Sequence, residues 1–258
     1  MNAQTKTDTL NARQQSIVAI SALTATGDLE SLKIQLNVGL DAGITVNELK
    51  ETLVQLYAYC GFPRSLNGIS TFMDVLKERK AKGIADKQGK EIIASNNTGD
   101  NYEQGRKVLE QLTKIPQAKP APGFGEFTPR IDAFLKEHLF ADIFDSDVLT
   151  YQQRELVTIS ALAAMTGVEP QLQSHISMGI NTGITASQLE QVAELIENHI
   201  SRKQANSLRK LLLKPIVSVV EPGIMVRISE IEILPEYLKE YNAILKEEAS
   251  ASVKLSDS

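Results

Sequence analysis

From Gln14 the chain reads QQSIVAISALTATGDLESLKIQLNVGLDAGITVNELKETL, and from Gln153 it reads QRELVTISALAAMTGVEPQLQSHISMGINTGITASQLEQVA. Ser21-Ala22-Leu23 aligns with Ser160-Ala161-Leu162. After a one-residue slip Thr26-Gly27 meets Thr166-Gly167, Leu32 meets Leu172 and Gly39 meets Gly179. Gly43-Ile44-Thr45 returns as Gly183-Ile184-Thr185. Matches this dense, all in one order, point to two fused copies of one unit.

Each copy carries readable punctuation. Gly43 suits a helix C-terminus, and Thr45 with Glu48 forms a capping box that starts the next helix; Gly183, Thr185 and Gln188 repeat the pattern. Between these signals Leu32, Ile34, Leu36, Val38 and Leu40 alternate as a strand would, as do Leu172, Ile176, Met178 and Ile180 less cleanly. Leu29, Leu32, Leu36 and Leu40 also keep helical spacing, and helix is the preferred reading, with Gly39 and Gly179 allowing close approach of a neighbouring helix. The stretches 47–58 and 65–80 are rich in helix formers and are broken by Gly61 and Pro63. The units therefore read as all-α.

Outward from the copies, 80–99 is polar and 102–112 is helical in pattern. Ile115 to Gly123 holds three prolines and reads as an extended loop, and 127–140 reads as one amphipathic helix. Past Pro222 the character shifts to a β-branched run, 224–233, and then a charged helix former, 234–255. The expected organisation is a first repeat at 1–99, a second at 100–222 and a βα extension at 223–258.

The 258 residues are 42% hydrophobic and 23% charged, which suits a folded soluble chain. Aromatic residues make up 5%, Trp is absent and the net charge is −5, which argues against stacking platforms and phosphate-binding surfaces; no nucleic-acid partner is expected. The single Cys60 excludes an internal disulfide, a CxxC pair and a multi-thiolate zinc site. The polar start and the lack of a long apolar run lead to an expectation of a cytoplasmic protein with no membrane partner.

These residues resemble the carboxymuconolactone decarboxylase family, which also contains the alkylhydroperoxidase D type proteins. In the second copy the resemblance runs through YEQGRKVLEQL from Tyr102, FTPRIDAFLKEHLFADIF from Phe127, RELVTISALAAMTG from Arg154 and LQSHISMGINTGIT from Leu172. In the first it covers about 14–76, including YAYCGFPRSLNG from Tyr57, similar to the family's aromatic, Gly-x-Pro signature. The resemblance implies an all-helical unit that assembles into rings, commonly trimers or hexamers, so a fused pair implies a homo-oligomeric trimer with pseudo-sixfold symmetry. From Val226 the tail resembles the opening strand and helix of an antibiotic biosynthesis monooxygenase type domain.

Peroxide reduction in the alkylhydroperoxidase branch uses a CxxC, one thiolate attacking and the other resolving. Counted back from His175 those places hold Val168 and Gln171; counted from Gln35 they hold Asp28 and Ser31. Decarboxylation asks for a cation to hold carboxylates, a donor for the dienolate and an acid for the carbanion, with no metal or organic cofactor. His175 lies where the family places its histidine, Glu155 about where the peroxidase branch places its proton-relay glutamate, and Arg154 is a carboxylate-binding candidate. Structural readings stand beside these: His175 as a hydrogen-bonded helix residue, Arg154 and Glu155 as members of an ion pair, and Cys60 as a small buried hydrophobe rather than a thiol beside Tyr57, Tyr59 and Arg64. His138 and His199 look helical and carry no motif.

The first copy has Gln35 and Ser16 in place of His175 and Glu155, and the second lacks the aromatic Gly-x-Pro signature. Each copy thus holds half a site. The expected site is composite: His175, Glu155 and Arg154 from one copy, with Tyr57, Tyr59, Cys60 and Arg64 from the other. The expected activity is a cofactor-free lyase acting on a small carboxylated lactone or oxo acid. The alternatives are a thiol-dependent peroxidase using Cys60 and a non-catalytic ligand-binding ring.

Overall fold

The computed structural model describes residues 8–92 and 99–218. The βα extension expected at 223–258 lies outside the described residues. Among those described there is no strand. The first copy comprises α1 (Ala12–Thr26), α2 (Leu29–Asp41) and α3 (Val46–Ala81). The second comprises α7 (Tyr151–Ala164), α8 (Glu169–Thr182), α9 (Ala186–His199) and α10 (Arg202–Leu211). Between them lie α4 (Asn101–Thr113), the short α5 (Phe124–Phe127) and α6 (Pro129–Ala133), and a π-helix at Phe134–Ile143.

The punctuation of the repeat is built as read. The Thr45 side chain accepts from the Glu48 backbone N–H while Glu48 reaches back to the Thr45 N–H at 2.8 Å, and Thr185 with Gln188 does the same. Gly43 and Gly183 close the preceding helices with φ of 88° and 100°, a region that costs an L side chain about 1 to 2 kcal/mol. Gly39 and Gly179 sit where the neighbouring isoleucines press closest: an added Cβ would lie 3.1 Å from Ile20 Cδ1 in one copy and 2.8 Å from Ile159 Cδ1 in the other. The alternating apolar residues of 32–40 and 172–180 are helical, because both segments are capped and buried along one stripe. In α3, Gly61 breaks the helix with φ 81° and ψ 159°; the second copy makes the same break at Ser201, whose side chain caps α10.

α1 and α7 are buried along nearly their whole length, Ser16 to Ala25 and Arg154 to Ala164. A helix enclosed on all sides is the centre of its fold, which explains why neither shows a polar face. They pack on each other, and the copies exchange outer helices across them: α3 packs on α7 and α9 on α1. One core results, with Ile17, Leu23 and Leu53 of the first copy continuous with Val157, Leu172 and Val192 of the second. The unit ends at Val217.

The intervening segment departs from expectation. A single helix was expected over 127–140, but Thr128 stands at φ −137° and ψ 79°. Pro129 forces this, because its ring excludes the preceding residue from the α region. Beyond α6 the chain widens into the π-helix, for which the sequence carries no signal. This π-helix packs on α4 with Gly105 at the crossing, and α4 in turn packs on α8. Leu112, Leu139, Phe140, Ile143, Phe144 and Met178 form a second, smaller apolar cluster there.

Candidate active site

α7 and α8 each contribute one member of a buried pair. Glu155 stands on the first turns of α7, fully buried, and His175 stands mid-way along α8. The packing of these helices, close at Gly179, brings His175 Nδ1 to 2.7 Å from Glu155 Oε2. An ionised carboxylate only accepts, so Nδ1 carries the proton and Nε2 is the ring nitrogen left for chemistry. The other Glu155 oxygen, Oε1, is buried without a hydrogen-bond partner. A buried orphan acceptor beside a histidine is costly to hold and is characteristic of functional sites.

The first copy supplies the next residues, from the part of α3 just before its break at Gly61. Tyr59 meets the His175 ring edge-on, with centroids 5.3 Å apart. Its ring is half-buried and its hydroxyl fully so, facing Thr158 and Glu155 without a well-formed hydrogen bond. Burial pushes the phenol far above its ordinary range, and the nearby Glu155 charge adds to that, so Tyr59 is neutral at any working pH. Tyr57 stacks on Phe62 at 4.5 Å and tilts against His138 at 5.6 Å.

His175 and Tyr57 both line a cleft of about 1170 Å³ that the second apolar cluster covers. Its walls come from α3, α4, the π-helix and α8. They are mainly carbon, with Phe62, Phe134, Leu135, Phe140 and Met178 among them. Lys136 also lines it, fully buried, with Nζ 2.8 and 3.0 Å from the two Asp132 oxygens, 2.9 Å from the Tyr102 hydroxyl and 3.0 Å from the Ala118 carbonyl. Burial works against the Asp132 charge, but Lys136 and Tyr102 outweigh it and hold the carboxyl below its ordinary value.

Of the seven residues expected in the site, His175 and Tyr57 line the cleft, and Glu155 and Tyr59 contact His175 without lining it. The other three lie elsewhere. Arg154 does not line the cleft: it is fully buried between the copies, donating to Glu51 at 2.9 Å, Gln55 at 2.9 Å and the Ser146 carbonyl at 2.7 Å. It is therefore an inter-copy ion pair rather than a group open to a substrate carboxylate. Burial pulls its guanidinium pKa down and Glu51 opposes that; an arginine stays charged regardless. Cys60 donates its thiol proton to the Leu56 carbonyl at 3.1 Å and packs on the main core. Burial pushes the thiol up, with Arg64 opposing, so little thiolate forms near neutrality. Arg64 is exposed and does not line the cleft.

The sequence reading missed the aromatic and ionic wall at 124–142. Its signal was present: five of the seven phenylalanines fall between 124 and 144, and Asp132 and Lys136 lie one turn apart in that apolar stretch. His138, which pairs with Asp142 at 3.0 Å, belongs to the same wall. Among the described residues no group of three or more His, Cys, Asp or Glu is arranged to hold a metal ion. No helix there is long and apolar enough to cross a membrane.

Fold and site together define an all-α protein of two interlocked helical repeats, with a buried histidine–glutamate pair opening on an apolar cleft. The sequence model of the carboxymuconolactone decarboxylase family matches residues 1–72, over the first copy, and 129–201, over α6, the π-helix and the second copy to the end of α9, together more than half of the chain. The chain belongs to that family. A search of curated proteins returned no match.

Proposed function

We propose that the protein is a cofactor-free lyase of the carboxymuconolactone decarboxylase type, in which His175 protonates the carbanion left when a carboxylated lactone or oxo acid loses carbon dioxide. The observation that carries this reading is the 2.7 Å pair of His175 Nδ1 with buried Glu155, on a ring that also lines the cleft. Glu155 fixes the ring's orientation and compensates the positive charge of a doubly protonated imidazole, leaving Nε2–H as the donor. Tyr59, neutral, meets the ring edge-on.

The thiol-peroxidase alternative finds no support at Cys60, whose proton is held by a carbonyl and whose sulfur does not line the cleft. Self-association is also part of the proposal: Phe62, Leu66, Met73 and Phe127 are large apolar side chains left exposed on the chain, which favours burial against further copies. Light scattering after size exclusion reads that directly.

The test is carbon dioxide release by the full chain from 4-carboxymuconolactone and from oxo acids. His175→Gln is expected to lower kcat by about 10²- to 10⁴-fold, the usual worth of a positioned acid. Glu155→Gln is expected to lower kcat more than it raises KM. Turnover that survives His175→Gln undiminished would overturn the reading.

A further inference from the structure

The cleft holds a second histidine–carboxylate pair. His138 and Asp142 lie four residues apart on the π-helix, with His138 Nδ1 3.0 Å from Asp142 Oδ2, and both line the cleft. The pair is half-exposed, where an ion pair adds little to stability, yet it is held from two further elements. Asn101 of α4 donates to the other Asp142 oxygen at 3.2 Å, and Tyr57 of α3 lies against the His138 ring at 5.6 Å. Burial raises the Tyr57 phenol above its ordinary value and the Asp142 charge adds to that, so this neighbour stays neutral. With Nδ1 directed to Asp142, Nε2 is the nitrogen left to meet a ligand, and the carboxylate compensates the charge of an imidazolium. The same stretch of α3 thus sets one tyrosine against each carboxylate-bound histidine, Tyr57 against His138 and Tyr59 against His175.

We propose that His138 is the anion anchor of the cleft: its Nε2–H holds a substrate carboxylate that the reaction retains, while His175 delivers the proton. The assignment rests on the lyase reading of the cleft and deepens it. Among the described residues lining the cleft, the side chains able to carry positive charge are Lys136, His138 and His175. Lys136 is fully buried, and its three protons are matched by Asp132, Tyr102 and the Ala118 carbonyl. His175 serves the carbanion. Glu137, beside His138, is exposed to water, which screens its repulsion of an arriving anion. A carboxylate that departs becomes neutral carbon dioxide, so an ion pair to it stabilises the ground state alone and slows its loss. An ion pair to a retained carboxylate persists into the transition state and tightens binding without opposing the chemistry. His138 thereby takes the part that the sequence suggested for Arg154, whose guanidinium is matched between the copies.

A binding arm and a turnover arm test the anchor on the full chain. Calorimetric titration in mildly acidic buffer, which favours the imidazolium, compares 3-benzoylpropanoate with its methyl ester. A γ-oxo acid keeps its carboxylate, so binding is read apart from turnover. The acid is expected to bind at least about tenfold tighter than the ester, the usual worth of a charge-assisted hydrogen bond. That preference is expected to fall to within about threefold in His138→Gln, to return in part in His138→Lys, which keeps a cation on that turn, and to persist in His175→Gln. Equal binding of acid and ester, binding of neither, or a preference that survives His138→Gln overturns the proposal. So does a preference that His175→Gln abolishes, which would give the carboxylate to the other ring. In carbon dioxide release from 4-carboxymuconolactone, His138→Gln is expected to raise KM about tenfold with kcat held within about threefold, whereas His175→Gln acts on kcat. Absence of turnover with the His138-dependent preference intact fails the proton-transfer reading and upholds the anchor. His175-dependent turnover with a KM that His138→Gln leaves unchanged does the reverse.

Discussion

Replacing Glu51 with glutamine removes the negative partner of a guanidinium that has no access to water. Arg154 is fully buried and the Glu51 side chain is 5% exposed, and their 2.9 Å contact joins residues 103 positions apart, one in each copy. Breaking such a pair from one side costs about 3 to 5 kcal/mol, because the remaining charge stays buried without compensation. Glutamine keeps one carbonyl acceptor, and Gln55 and the Ser146 carbonyl remain. The expected loss is therefore at the lower end, about 3 kcal/mol. For a folded unit of this size that lowers Tm by about 6 to 12 °C. The double variant Glu51→Leu/Arg154→Met removes both charges and is expected to recover most of the loss, since apolar replacements of a whole buried pair are often neutral. Urea unfolding followed at 222 nm, on Glu51→Leu, Arg154→Met and the double, closes the cycle. If Glu51→Gln shifts stability by less than about 1 kcal/mol, or if the double variant costs the sum of the singles, the pair is not what joins the copies at this point.

Three further outcomes follow from the same physical terms. Gly105→Ala puts a Cβ 1.8 Å from the Lys136 carbonyl oxygen, against backbone rather than a movable side-chain tip, and is expected to cost about 3 kcal/mol or more in urea unfolding. Iodoacetamide labelling of Cys60 in the folded chain is expected to be slower than that of free cysteine, with its pH midpoint above that of an exposed thiol, while Cys60→Ala leaves decarboxylation unchanged; fast labelling at pH 7 would contradict the buried-thiol assignment. Asp132 has a folded pKa below its unfolded value. Its contribution is thus complete above the ordinary carboxylate range, about pH 4, and is lost as pH falls through the folded value. Asp132→Asn is expected to flatten the acid limb of a stability–pH curve, and an unchanged limb would show that Lys136 gains nothing from the pair.

Much of the fold was legible because its signals are local. A capping box acts within four residues, a glycine at positive φ acts within one, and the repeat displayed both twice, at Gly43-Ile44-Thr45 and Gly183-Ile184-Thr185. Those features determined the all-α class, the order of the helices and the break at Gly61. The pairing of His175 with Glu155 was legible in part, since both positions fall on helices of one copy and the family resemblance singled them out. The break at Thr128 was missed, although Pro129 carried the reason, and the π-helix beyond it had no signal at all.

What the sequence could not determine depends on pairs far apart along the chain. Arg154 in isolation looks like a carboxylate-binding group; it is spent because Glu51 and Gln55 arrive from the other copy. Cys60 lies immediately before the helix break at Gly61, yet burial and the Leu56 carbonyl decide that it remains a thiol. The cleft exists because the π-helix packs on α4 at Gly105, and α4 on α8, which sets the aromatic wall of 124–142 beside α3 and α8. Sequence spacing reports which residues share a helix face, whereas desolvation and charge compensation are set by every atom within a few ångströms, and only the tertiary fold chooses those neighbours.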